Sequence, residues 1–173
     1  MEILEPLLRR SRDAALLLEQ AEIEAQLGHR DVALRSLAEV ERAEPGDIED
    51  LRRVAHSYQN LKEYDRAVSV LSRLMRRRPS DADLLSDRGL CQQLKGESAE
   101  AEADLKRAIV LSPDYFAAYL TLGAVYASQG RDVEAVSLYE AALAQKPRGI
   151  SDDLRGLLRR ARKEAAARAS TRR

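Results

Sequence analysis

Two histidines and one cysteine are the residues of this 173-residue chain best suited to proton transfer or nucleophilic attack. His29 stands in a stretch that reads as a turn, His56 falls on a helix face and Cys91 lies elsewhere, so no nucleophile is paired with a base and no catalytic residue is expected. There is no Cys-x-x-Cys, no His-x-x-x-His and no glycine-rich phosphate loop, so neither a metal nor a nucleotide has a candidate site and no cofactor is implied. What remains is recognition chemistry. Arg52 and His56 are four apart, and Gln59 and Asn60 follow on the same helical face, so together they present several donors to a peptide backbone or a carboxylate. The competing reading of that stripe is a solvated face carrying intrahelical pairs such as Glu49 with Arg53.

The elements that must position these side chains emerge when the chain is laid over itself at a shift of 34 residues. Pro45, Pro79, Pro113 and Pro147 recur at that interval, as do Ala33, Ala67, Ala101 and Ala135. A small row (Ala21, Ala55, Gly89, Gly123) alternates with two large rows: Leu37, Leu71, Leu105 and Tyr139, and Leu17, Leu51, Leu85 and Tyr119. Proline lacks an N–H and biases the preceding residue away from helix, so each proline closes a unit. Within a unit the i, i+4, i+7 spacing of Leu85, Gly89 and Gln92, and of Ala101, Leu105 and Ala108, predicts two amphipathic helices. Gly28, Gly96 and Gly130 supply the positive φ that a short helix–helix turn needs, with Lys62 standing at that place in the second unit. Apolar residues make up 45% of the chain and aromatics only 4%, with no Trp, a palette that favours helices over sheets.

On these rows the chain resembles the tetratricopeptide repeat (TPR) family, with units at 14–47, 48–81, 82–115 and 116–149. The match is fullest in the last unit, through Tyr119, Leu122, Gly123, Tyr126, Ala135, Tyr139, Ala142 and Pro147. It is weakest in the first, where Gln20, Glu24 and Val40 depart from the pattern and loose packing is expected; residues 1–13 read as an N-terminal segment with the character of half a repeat. The resemblance implies an all-α, right-handed superhelical solenoid of four hairpins. It also implies a concave groove, lined by the first helix of each unit, that receives a peptide or helix of a partner protein.

The groove faces that this implies are graded. Leu18, Glu19 and Glu22 give an acidic first unit, and Arg52, Arg53, His56 and Asn60 a basic and amide-rich second. Asp83, Ser86, Asp87 and Leu90 form the third face, and Leu120, Thr121, Ala124 and Ala127 an apolar fourth. Contact is expected first at Arg52, Arg53, His56, Asn60, Leu90 and Leu120. A clamp for chaperone C-terminal carboxylates, known in some relatives, is not expected, because Leu18, Glu22, Asp83 and Asp87 stand where cations and amides would be needed. Tyr58, Tyr126 and Tyr139 lie on core rows, so they read as packing and not as platforms for nucleic-acid bases.

After Pro147, Ser151-Asp152-Asp153 followed by Leu154, Leu157, Leu158 and Ala161 predicts a capping helix within residues 150–173, frayed beyond about Ala167. From Arg148 onward nine basic residues face three carboxylates, a net of +6 in a chain of zero net charge. Without interleaved aromatics that tail reads as a solvated cap, and no nucleic acid is expected. The acidic start Met1-Glu2 and the absence of a long apolar run argue against an export signal or membrane span, and the lone Cys91 fits a reducing cytoplasm. Two rivals to a protein-binding adaptor remain open: self-assembly into a homo-oligomer through terminal faces, and service as the regulatory segment of a larger enzyme or secretion machine.

Overall fold

The computed structural model describes residues 4–43, 47–144 and 151–171, with side chains described from Asp13 onward and, in the last stretch, from Arg155 to Ser170. Pro45, Pro147 and the side chains of Ser151 to Leu154 lie outside the described residues. Among the described residues there are nine α-helices and no strand, the all-α class expected from the composition and from the family resemblance. The chain divides into two compact units, Met1–Pro79 and Ser80–Arg173.

The first unit holds two hairpins, α1 (Leu4–Gln26) with α2 (Arg30–Ala43) and α3 (Ile48–Asn60) with α4 (Tyr64–Arg77). α3 packs against both helices of the first hairpin. Residues 4–13 are the first turns of α1 and not an element of their own, so the boundary anticipated after residue 13 falls inside a continuous helix. The first hairpin is well packed despite its departures from the pattern: Ala21, Leu37 and Val40 are fully buried. Tyr58 is buried as well, and its hydroxyl donates to Glu41 across 2.8 Å, which supplies the polar partner a buried phenol needs. Lys62 does adopt positive φ (60°), the strained counterpart of Gly28 (82°), Gly96 (93°) and Gly130 (74°).

The second unit holds α5 (Ala82–Lys95) with α6 (Ser98–Leu111), α7 (Phe116–Ser128) with α8 (Asp132–Ala144), and α9 (Ser151–Thr171) packed on α8. Here the alternation of small and large rows becomes direct contact. A Cβ added at Gly89 would lie 2.7 Å from Leu105 Cγ, and one at Gly123 only 2.1 Å from Tyr139 Cε1, so the missing side chains are the space their partners fill. The proline row also acts through its carbonyl: the Tyr119 hydroxyl donates to Pro113 O at 3.0 Å, fastening the inter-hairpin turn to the helix that follows.

Two starts are held by a device the repeat rows did not reveal. Asp47 and Asp81, each two residues after a row proline, cap α3 and α5, Asp47 accepting from Glu49 N (2.9 Å) and Asp81 from Asp83 N and Leu84 N (3.1 and 3.2 Å). At the other end, α9 runs to Thr171, past the point where fraying was expected, and Arg168 near its end lies against α8 with Nε 3.2 Å from Asp132 Oδ2. The Asp132 side chain is only 2% exposed, so that guanidinium is placed against a carboxylate with little access to water.

Candidate functional site

In the first unit, α1 and α3 lie side by side and leave a cleft of about 350 Å³ between them. α1 contributes Glu22, Ala25 and Gln26; α3 contributes Arg53, His56, Ser57 and Asn60, which fall at i, i+3, i+4 and i+7 and therefore on one stripe. Four of the residues expected in the groove that the resemblance implies, Glu22, Arg53, His56 and Asn60, line one concavity. Arg52 is half-buried on the same helix but does not line it.

The electrostatics of this cleft are set within it. Arg53 Nη2 donates to Glu22 Oε2 at 2.9 Å, and Arg53 Nη1 lies 3.7 Å from Asp50. The hydrogen bond to Glu22 is the main reason the guanidinium is held still more firmly in its charged form. The Asp50 carboxyl is pushed up, first by burial and then by the nearby Asp47 charge, with Arg53 opposing. Arg53 therefore pairs with Glu22 on the neighbouring helix and with Asp50, where the sequence suggested Glu49. That link spans 31 residues and could not be read from helical spacing.

In the second unit, Asp87 and Leu90 on α5 and Leu120 and Thr121 on α7 are each partly exposed, on two helices that pack together. Ser86 and, in the first unit, Leu18 were expected on the open face but are 4% and 0% exposed. The reason is shared: α1 and α5 each pack on the first helix of the following hairpin as well as on their own partner, which widens the arc they bury. A second cleft, of about 300 Å³, opens further along α7, where Ala124, Ala127 and Ser128 face Leu157, Arg160, Ala161 and Glu164 of α9 above Tyr139. The apolar end of the predicted face is therefore walled by α9.

No catalytic arrangement is present among the described residues. His29 sits in the turn before α2 and pairs with Glu24 at 2.7 Å, while His56 lies on α3. Cys91 is buried in the second unit, with burial, and then the Asp87 charge, pushing its thiol up to about 12. No group of three or more metal-ligating side chains gathers among the described residues. Nor is any described helix long and apolar enough to cross a membrane.

A family model described as tetratricopeptide repeat matches residues 54–115 and 95–150, more than half of the chain. Among solved structures, a thermophilic TPR protein of Thermus thermophilus is 30% identical with a TM-score of 0.67, over 84% of this chain and 79% of that one. The first TPR domain of Spaghetti, bound to the HSP90 peptide SRMEEVD, superposes with a TM-score of 0.63 at 24% identity, over 69% of this chain and 95% of that one. Among curated proteins, the Hsp70-Hsp90 organizing protein of Triticum aestivum is 25% identical over 122 residues, which are 70% of this chain and 21% of that protein. The chain thus spans about a fifth of that relative's length.

Proposed function

This chain belongs to the tetratricopeptide repeat family, and from that premise we propose that it is a non-catalytic adaptor that holds a segment of a partner protein. The observation that carries this reading is the cleft between α1 and α3, where donors and acceptors from two hairpins converge on one concavity rimmed by Asn60. A preformed cleft on packed helices loses little freedom on binding, so affinity depends mainly on the cost of ordering the partner's segment.

Charge narrows the partner's chemistry. The peptide held by the Spaghetti domain, SRMEEVD, is acidic toward its C-terminus. Here the cleft's arginine is already engaged by Glu22, and Asp50 places a second carboxylate 3.7 Å from the same guanidinium. A carboxylate-rich tail would meet like charge, so the segment taken is neutral to basic and supplies backbone and hydroxyl groups to Asn60, Gln26 and His56. A reducing cytoplasmic setting accords with the single, buried Cys91.

Photo-crosslinking tests the site directly. A photoreactive residue at Asn60, compared with one at Val110, which is 78% exposed on α6, should capture a partner from source-cell extract at the first position alone. An added neutral or basic competitor peptide derived from the captured protein should abolish the product, and SRMEEVD should not. Identical products from both positions, or competition by SRMEEVD, would refute the reading.

A further inference from the structure

We propose that copies of this chain associate head to tail, the outer face of α1 in one copy seating in the cleft between α7 and α9 of the next. This goes beyond the segment-holding role and uses other surfaces. α1 buries Ala14, Leu18 and Ala21, and at 100° per residue the opposite side of the helix carries Leu16 and Ile23, with Leu27 continuing the line in the turn just past its end. These three are 59%, 56% and 64% exposed, an apolar stripe over three turns with no partner among the described residues of its own chain. Glu22, which lines the α1–α3 cleft, faces a different way, so covering the stripe leaves that cleft open.

The receiving surface is complementary in both shape and charge. The α7–α9 cleft is concave, and its walls at Ala124, Ala127, Leu157 and Ala161 are apolar, with Leu157 still 37% exposed. α1 carries five carboxylates against Arg9, Arg10 and Arg12, and all three arginines precede the stripe. The part of the helix that bears it, Asp13 to Gln26, therefore holds four carboxylates and no Lys or Arg. From Arg155 to Arg168 the cleft's helix carries six basic residues and one carboxylate, Glu164. Some of these charges have partners in their own unit, Glu22 with Arg53 and Arg162 with Glu140 among them, yet each face keeps its sign. The opposed fields favour α1 on α9, and like charge opposes pairing of α1 with a second α1. Because the two faces are different surfaces, the contact is heterologous: copies add in series until a ring closes or a filament grows.

The test is mass against concentration by light scattering and sedimentation, with the folded state of every variant checked by circular dichroism. Wild type should grow in mass with concentration and shrink as salt is raised. Ile23→Glu and Leu157→Glu, both at exposed positions, should each weaken association about tenfold or more by placing a carboxylate against an apolar wall. Mixed together, the two variants retain one intact head and one intact tail, so they should form a heterodimer and nothing larger. Wild type that stays monomeric at every concentration overturns the proposal. So does loss of association by Ile23→Glu with none by Leu157→Glu, which would mark pairing of α1 with α1. A mixture that stays monomeric also overturns it.

Discussion

Gly123 and Gly89 occupy the same place in successive units yet face partners of different stiffness. Both partners are buried, but the Tyr139 ring under Gly123 is rigid and overlaps an added Cβ through several ring atoms. At Gly89 the overlap is smaller and centred on Leu105 Cγ, which a small rotation about the leucine's Cα–Cβ bond relieves. Gly123→Ala should therefore destabilise the protein by about 2–3 kcal/mol, and Gly89→Ala by about 1 kcal/mol, in urea unfolding. Equal costs would mean that the ring moves as easily as the leucine. The alternation of glycine or alanine with a large residue was legible in the repeat rows. Which large side chain fills which gap, and how tightly, was not, because that depends on the distance between helix axes.

Between elements, one side-chain pair of the third hairpin joins α5 to α6. Arg88 donates from Nε and Nη2 to the two Asp104 oxygens at 2.6 and 2.8 Å, a bidentate pair whose carboxylate side chain is 11% exposed. Arg88→Met strips the partner from a largely buried charge and should cost about 3 kcal/mol, while Arg88→Met with Asp104→Leu should recover most of that loss. A double variant no more stable than the single one would show that the carboxylate has another anchor. Neither residue lies on a conspicuous row of the repeat, so the pair was invisible in the sequence. α9 is a related case: its existence followed from Leu158 and Ala161, both buried as an apolar stripe requires, but the approach of Arg168 to Asp132 on α8 joins residues that meet only after folding.

Across the whole molecule, stability in a chain of stacked hairpins is the sum of local terms between neighbours, and α1–α4 and α5–α9 fall into two separate compact units. The damage done by Gly123→Ala should therefore stay local. In amide hydrogen exchange, the variant should lose protection chiefly in α7, α8 and α9, with α1 and α2 close to wild type. Uniform loss of protection along the chain would mean that the two units unfold as one.

Read alone, the sequence determined the period of 34, two helices per unit, turns needing positive φ at Gly28, Lys62, Gly96 and Gly130, and the core rows. These are consequences of backbone conformation and helical spacing, which act over a few residues and repeat with the chain. It also placed Glu22, Arg53, His56 and Asn60 on the helices that border the α1–α3 cleft. Only the tertiary structure decided that Arg53 spends its charge on Glu22, that Leu18 and Ser86 are buried, that Arg88 grips Asp104 and that α9 walls the apolar end of α7. Each of those outcomes joins side chains from different helices, and such contacts depend on how the helices lie against one another, a quantity that the spacing within any one helix does not contain.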